Sequence, residues 1–420
     1  MMTIPQTIDE QFRTIVGAEH VRAATADDSP VGTNCKIAVS PGTEKEVAAV
    51  LARANELGLA VIPCGGGTKL GWGNPPERAD VLVSLSRLDR IIEHAWADLT
   101  VVVEAGCTME HLQNTLANQG QRLALDCLWP EKATVGGVLS TNDSGVLRLR
   151  YGALRDLVIG VTVALPDGTL ASSGGKVVKN VAGYDLPKFV TGAFGTLGVI
   201  TRAIFRTHPV CRESQTLSFT AADVETMQVK VLAIQNSQLA HTALQVRASS
   251  DGSLEADVLF EGRGAGLQAQ EKQLQALLRM AGVTREAGGW RAREQLWNGV
   301  GGESVIAKVV VLPSKLATTL QKLQEQGSTG GFAWKAVMQA TGIGCIRVDG
   351  PAGPVLARVA EIRNYVEANG GSLAILHFSA NAERIDCWGT AGDSLALMQA
   401  VKCQFDPKRT LNPGRFVGGI

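Results

Sequence analysis

The sequence predicts an α+β protein with two principal domains, and three observations predict it. Apolar runs of strand length alternate with amphipathic helical stretches along the 420 residues. In the first half, glycine clusters into tight turns, above all in Pro63-Cys64-Gly65-Gly66-Gly67-Thr68-Lys69-Leu70-Gly71, which lies between two strand-like runs. Near Pro209 the texture changes: glycine thins, and strands alternate with longer helices. At 45% hydrophobic and 19% charged, the composition supplies core material for two or three domains.

Thr43-Glu44-Lys45-Glu46 reads as a capping box, Thr43 capping and Glu46 reaching back. Val47, Val50, Leu51, Ala54 and Leu57 follow at helical spacing, and Gly58 closes the helix. Leu59 to Ile62 is a buried strand leading into the glycine loop, and Val81 to Leu85 is the strand after it. Thr100 to Glu104 is a β-branched strand, and Thr108 caps a helix running through Leu112 and Leu116 to Gly120. Asp126 to Arg150 reads as loop. Pro166-Asp167-Gly168 turns a hairpin between strands Val158–Leu165 and Thr169–Ser172, and Leu197 to Arg206 is again a strand. Beyond Cys211, helices are expected at 222–234, 268–280, 316–326 and 355–369. Strands are expected at 242–246, 256–260, 305–312, 346–348 and 373–377. That order suggests an antiparallel sheet with helices on one face. Gly327 to Gly331 is a loop, and Phe405 to Gly414 a turn-rich tail.

The order strand, glycine loop, strand excludes two familiar phosphate sites. A dinucleotide fold of the Rossmann type opens a helix directly after its glycine loop. A P-loop needs Gly-Lys-Ser/Thr, and here the order is Gly67-Thr68-Lys69. Three bare glycines can instead form a nest of N–H groups for an anion. Taken alone, the triplet reads first as a flexible turn with no ligand.

Lys+Arg and Asp+Glu both number 40, so no basic excess suggests nucleic acid or an anionic membrane. No apolar run approaches the roughly 18 residues of a membrane span. Met1 to Glu10 is polar and lacks a signal-peptide core, so a cytoplasmic location is expected, with any membrane association made through partners. The eight cysteines form no Cys-x-x-Cys pair, which fits reduced thiols and leaves no ferredoxin-like iron–sulfur motif. The six histidines show no metal-ligand spacing, and no metal is expected.

Several phrases follow the glycine loop in order. They are Ala133-Thr134-Val135-Gly136-Gly137-Val138, Ser140-Thr141-Asn142-Asp143-Ser144-Gly145, Arg150-Tyr151-Gly152 and Arg155-Asp156. Lys179-Asn180-Val181-Ala182-Gly183-Tyr184-Asp185-Leu186 precedes Gly192-Ala193-Phe194-Gly195-Thr196-Leu197-Gly198-Val199-Ile200-Thr201. The tail adds Phe405-Asp406-Pro407 and Leu411-Asn412-Pro413-Gly414. Together, over residues 30–210 and the tail, these resemble the FAD-binding domain of the vanillyl-alcohol oxidase, or p-cresol methylhydroxylase (PCMH-type), family. Within it, the 179–186 phrase and the compact second domain resemble the glycolate oxidase FAD-binding subunit, the E subunit.

The resemblance implies a PCMH-type FAD-binding domain of two α/β subdomains over 30–210. It further implies a smaller α+β substrate or cap domain over 211–400, and a tail, 401–420, returning to the flavin site. Cys64, Gly65, Gly66, Gly67, Thr68 and Lys69 would wrap the pyrophosphate. Thr134, Gly136, Gly137, Thr141 and Gly145 would line the second pyrophosphate and ribose side. Ile200 would meet the adenine end through its backbone, and Asn412 would return toward the flavin. For Gly192, Gly195 and Gly198, strand packing is an equal explanation. Tyr184 is either a flavin-side hydrogen-bonding group or a buried anchor.

Two departures from the family matter. Thr68 stands where some relatives attach FAD through histidine, so FAD is expected to be non-covalent. Leu376-His377-Phe378-Ser379-Ala380-Asn381 supplies a single histidine where relatives carry a metal site. Oxidising a hydroxy acid needs a cation for the carboxylate, for which Arg291, Arg293 and Arg347 are candidates, and a base, for which His377 is the candidate. Each of these also has an ordinary structural explanation.

The expected function is therefore oxidation of glycolate or a similar small 2-hydroxy acid. Electrons would pass to partners, which the resemblance implies are a paralogous flavoprotein subunit and an iron–sulfur subunit. The alternative is an FAD-holding assembly or electron-relay subunit without turnover of its own. Stand-alone oxidation of another alcohol or acid stays open. An NADPH-fed reductase of the cell-wall precursor type is disfavoured by the tail and by the length of the second domain.

Overall fold

The computed structural model describes residues 7–30, 32–176, 185–279, 284–285, 289–301, 304–328, 331–378 and 385–420. It falls into two compact units. One comprises Met1–Ser144, Gly152–Val210 and Ala391–Ile420, and the other Gly145–Tyr151 and Cys211–Thr390. Against the expected boundaries, 145–151 group with the second unit and 391–400 with the first.

In the first unit, helix α1 (Ile8–Val16) leads to strands β1 (Val21–Ala23) and β2 (Ile37–Val39), then helix α2 (Glu44–Glu56), β3 (Val61–Cys64) and β4 (Val81–Ser84). These strands form a sheet in the order β1-β2-β4-β3, with β3 and β4 parallel. Thr43 Oγ1 accepts the Glu46 amide at 3.1 Å, as the capping motif predicts. Glu46 reaches one residue further than expected: its carboxylate accepts the Gly42 amide at 2.7 Å. The glycine loop springs from the C-terminal end of β3.

The second sheet of this unit is built from β5 (Ile91–Ala95), β6 (Thr100–Glu104), β8 (Val158–Ala164), β9 (Leu170–Gly174) and β10 (Val199–Arg206), in the order β5-β6-β10-β8-β9. Helix α3 (Met109–Ala117) follows β6, and a short ribbon pairs β7 (Gln121–Arg122) with β11 (His208–Pro209). The hairpin turn forms as predicted: the Gly168 amide donates to Leu165 O at 3.0 Å, and Asp167 accepts the Thr169 amide at 2.9 Å. The stretch expected to be loop instead contains helix α4 (Val135–Thr141), capped by Thr134, and the single turn α5 (Arg148–Tyr151). Two glycines in its first turns give α4 a poor intrinsic propensity, so packing decides the structure there. Short helices α6 (Leu154–Leu157) and α7 (Leu186–Val190) complete this part. The phrase Lys179–Tyr184, and with it Tyr184, lies outside the described residues.

The second unit is one antiparallel sheet with helices on one face, as predicted. Its strands are β12 (Glu213–Thr220), β13 (His241–Ser249), β14 (Leu254–Gly262), β15 (Thr284–Arg285), β16 (Ser304–Val310), β17 (Ala333–Gln339), β18 (Ile343–Asp349) and β19 (Ser372–His377). Their order is β15-β12-β14-β13-β17-β18-β16-β19. The sequence reading missed β12 and β17. Helices α8 (Val224–Gln235), α9 (Gly264–Leu278), α11 (Leu316–Ser328) and α12 (Ala352–Ala368) bury Met227, Leu274, Leu320 and Val359 against alternate strand residues such as Leu217, Val258, Met338 and Ile346. Helix α11 carries on through Gly327 and Ser328, which were expected to be loop. The single turn α10 (Ala292–Gln295) precedes β16, and α13 (Leu395–Phe405) returns the chain to the first unit.

The opposite face of this sheet carries a buried polar cluster beside the apolar Val337 and Cys345. Asp257, with no exposed surface, accepts from Ser218 Oγ (2.8 Å), Gln245 Nε2 (2.9 Å) and Arg247 Nε (2.8 Å). Burial alone would raise this carboxyl's pKa; the three donors outweigh burial and lower it. Replacing Arg247 with Met leaves a buried carboxylate without its cation. The second unit should lose about 3 kcal/mol of stability, read as an earlier urea transition. An unchanged midpoint would show that the neutral donors suffice.

Candidate functional site

The glycine loop and the α4 segment meet at van der Waals contact. A Cβ on Gly66 would lie 1.8 Å from Lys132 O, and one on Gly65 would lie 2.0 Å from Thr134 Oγ1. No side chain fits at either position. The Gly67 amide is turned to the Cys64 thiol, whereas the amides of Gly65, Gly66 and Thr68 donate to no carbonyl among the described residues. Burial pushes the Cys64 thiol up to about 11, so at neutral pH it is a wall of the site and not a nucleophile.

These residues open onto one cavity. Cys64 through Lys69 form one side, Thr134, Gly136, Gly137 and Thr141 a second, Ile200 a third, and Asn412 the end. Thr134 caps α4, its Oγ1 accepting the Gly137 amide at 3.3 Å. Gly136 is required by packing, since a Cβ there would come within 2.8 Å of Ala105 Cβ. Ile200, buried, lies in β10 ahead of its first pairing with β6, Arg202 opposite Glu104. Gly145 alone among the expected cofactor residues is not part of the lining, and it belongs to the second unit.

The loop's lysine does not present a bare cation. Lys69 is buried, 3.3 Å from Asp143 Oδ2, with its ammonium 5.5 Å from the ring centres of both Trp72 and Trp129. With that charge already paired, the amides of the glycine loop would be the groups left to meet a phosphate.

Sequence reasoning missed three contributors. Phe194 lines the cavity with φ at +54°, a left-handed conformation costly for a bulky residue. It is held there by its amide on Ser140 O (2.9 Å) and by stacking on Phe416 at 5.8 Å. Ser140 also lines the cavity. Arg415 reaches back from the tail to donate to Leu70 O (2.7 Å) and Trp72 O (2.6 Å), which fixes the far end of the glycine loop. Its position directly after Leu411-Asn412-Pro413-Gly414 was the one available signal.

The tail completes the wall. Val61 and Leu411 form a parallel bridge: the Val61 amide donates to Thr410 O at 2.7 Å, and the Asn412 amide to Val61 O at 3.0 Å. Asn412, 2% exposed with φ at +45°, donates Nδ2 to Phe194 O at 2.6 Å, while its Oδ1 has no partner among the described residues. A buried acceptor left this way calls for a donor from a ligand. FAD offers one at the flavin N3–H and at its ribityl and ribose hydroxyls, so the residues present fit this cofactor.

The comparisons with known proteins agree. Residues 35–174 match the FAD binding domain, and residues 387–416 match the C-terminal domain of FAD linked oxidases. The first unit thus carries segments similar to the two domains of FAD linked oxidases. The chain's fold is that of p-cresol methylhydroxylase, with a TM-score of 0.76 at 17% identity over 97% of this chain and 95% of that one. A D-2-hydroxyglutarate dehydrogenase of Xanthomonas citri pv. viticola is 25% identical over 89% of this chain and 88% of its own length. A D-lactate dehydrogenase of Archaeoglobus fulgidus is 26% identical over 91% of both chains. The glycolate oxidase subunit GlcD of Bacillus subtilis is 30% identical over 51% of this chain and 47% of its own.

The proposed catalytic residues lie in the second unit. Arg347 and His377 both stand opposite Ile306 in the register, on either side of it, and so share a face of the sheet. Arg347, expected as a substrate clamp, is hydrogen-bonded within the chain. Its guanidinium binds Asp349 through Nε (2.8 Å) and the carbonyls of Leu296 (3.0 Å), Asn298 (2.5 Å) and Gly299 (3.3 Å), fastening the segment before β16. His377 packs edge-on against Trp297 at 6.2 Å. Burial, and then the Arg347 charge, lower its pKa, so it is a neutral imidazole at pH 7. Arg291 is exposed and paired with Glu294 at 2.7 Å, and Arg293 is half-buried.

Two expectations follow for the FAD-binding domain. Gly66→Ala forces the loop off the Lys132 carbonyl, and the purified variant should carry less than a tenth of the wild-type flavin by absorbance. Retention of full flavin would mean that the loop does not cradle the cofactor. With Thr68 in the loop, trichloroacetic acid should leave all yellow colour in the supernatant. Flavin in the pellet would show covalent attachment through another residue.

Proposed function

We propose that this chain is an FAD-dependent dehydrogenase or oxidase subunit acting on a small 2-hydroxy acid, with glycolate and D-lactate the first candidates. One observation carries the reading. The glycine loop, α4 and the tail of the first unit converge on a cavity that suits FAD, in a chain aligned nearly end to end with two relatives named for hydroxy-acid dehydrogenation. Bound FAD supplies the two-electron acceptor. In the chain itself, the amides of Gly65, Gly66 and Thr68 hold the pyrophosphate without a titratable partner. His377, neutral and next to Trp297, is the group available to take the hydroxyl proton. The PCMH-type domain, the cap domain and the returning tail divide this work as the expected boundaries suggest. Electrons leave to a partner flavoprotein and an iron–sulfur subunit.

A second reading has specific support. Arg347 is fully engaged by its own chain, and no group of three or more His, Cys, Asp or Glu that could hold a metal occurs among the described residues. An FAD-holding relay subunit would need neither. No helix of the described residues is long and apolar enough to cross a membrane, which is compatible with either reading.

The separating experiment is anaerobic. Glycolate, D-lactate and D-2-hydroxyglutarate are added in turn to the purified holoprotein, and absorbance is followed near 450 nm. Bleaching by one of them within seconds is expected, with His377→Gln slowing it by about 10²-fold or more. Persistence of the band with all three, together with bleaching when a partner flavoprotein is reduced, would establish the relay reading instead.

A further inference from the structure

The first unit contains a buried ion pair that takes no part in the cavity wall. Lys402, in α13, is 5% exposed, and its ammonium donates to Asp406 Oδ2 (2.6 Å), Thr196 O (2.8 Å) and Leu411 O (2.9 Å). All three donors of an ammonium group are thereby used. Asp406 has no exposed surface, and it also accepts the amides of Thr410 (2.9 Å) and Leu411 (2.8 Å). Burial pushes the Lys402 ammonium down in pKa, and Asp406 opposes that.

Such a pair is a weak means of stabilising a fold, because an apolar pair of similar volume often does as well or better. An apolar pair cannot hold two carbonyls at a fixed separation. Thr196 directly follows Gly195, and Leu411 directly precedes Asn412; both Gly195 and Asn412 line the cavity. The same two segments are joined again at the Asn412 Nδ2 to Phe194 O bond. A Cβ on Gly195 would come within 3.2 Å of Asn412 Nδ2, so the separation of the two backbones leaves little slack.

We propose that Lys402 and Asp406 are positioning residues for the cofactor: their ion pair fixes the tail against the 193–198 turn and so presents the unpartnered Oδ1 of Asn412 to a hydrogen-bond donor of FAD. The proposal rests on the cavity being the FAD site. It adds that the site's end wall is set by residues that do not touch the cofactor.

The test uses the full chain, stripped of flavin and titrated with FAD by fluorescence. Asn412→Ala should weaken FAD about tenfold, the scale of one hydrogen bond. Lys402→Met and Asp406→Asn should each weaken it at least as much. Combining Lys402→Met with Asn412→Ala should add less than about threefold to the stronger single effect, since both remove one contact. The double variant Lys402→Met/Asp406→Leu removes both charges together. It should still fold, at a lower melting temperature because the Thr410 and Leu411 amides lose their acceptor, and bind FAD weakly, and the 450 nm band should have the shape seen in Asn412→Ala. Full multiplicativity of the Lys402 and Asn412 effects, or wild-type FAD affinity in the apolar double variant, would reduce the pair to a structural role and overturn the proposal. Wild-type affinity in Asn412→Ala would overturn it too. If Gly66→Ala still lost its flavin in that case, the FAD site itself would stand and only the role of the end wall would fall.

Discussion

The contact between the glycine loop and the segment entering α4 is the constraint on which the rest of the first unit depends. Two backbones approach so closely that a single Cβ on Gly65 or Gly66 would overlap Thr134 or Lys132. Sterics therefore select glycine here, ahead of any ligand. The ligand chemistry follows from the same fact. A loop pressed against the segment entering α4 leaves its amides turned away from its own carbonyls. Those of Gly65, Gly66 and Thr68 have no carbonyl partner among the described residues and would be available to an anion. With Lys69 paired to Asp143, the loop discriminates through geometry and dipoles rather than net charge.

Strain gathers around this contact. Trp129, Asn142, Phe194 and Asn412 all adopt positive φ, and Phe194 and Asn412 line the cavity. Each such residue costs of order 1 kcal/mol or more unless its surroundings hold it. Here the surroundings are identifiable: Phe194 is fixed by Ser140 O and by Phe416, and Asn412 by Val61 O and Phe194 O. The strained groups support one another across segments more than two hundred residues apart in sequence, because Asn412 must cross to Phe194. That mutual support is what ties the tail to the first unit.

Much of this was legible in the sequence, for reasons that differ by element. The Thr43 cap, the Pro166-Asp167-Gly168 turn and the glycine loop are local signals, and the structure keeps them, although Glu46 caps Gly42 and not Thr43. Helix α4 was not legible. Its two glycines argue against a helix, and it forms because Thr134 caps it and Gly136 packs on Ala105. β12, β17 and α13 were missed for a related reason, since tertiary pairing outweighs the weak alternation in Glu213–Thr220. The cofactor residues emerged because an ordered set of phrases resembles a family. The structure brings all of them but Gly145 to one cavity. Lys402 with Asp406, and Arg415 with Leu70, are long-range pairs that no local pattern announces.

The same contrast separates the two units chemically. In the first, cofactor determinants are backbone groups held by packing, and they tolerate little substitution. In the second, charges on the face of the sheet away from the helices are already matched by the chain itself: Asp257 by Arg247, and Arg347 by Asp349 and three carbonyls. A substrate carboxylate could claim Arg347 only by displacing those carbonyls, each of which would then need another donor. The arginine that looks most like a clamp in sequence is for that reason the least available in the fold. Of the three arginines, Arg291 is exposed and held by Glu294, and Arg293 is half-buried. The cavity that suits FAD is thus lined by residues of the first unit alone. Under the proposed function, substrate choice would fall to side chains of the second unit such as those near Trp297 and His377, where a small change could alter or remove an activity without disturbing the cavity.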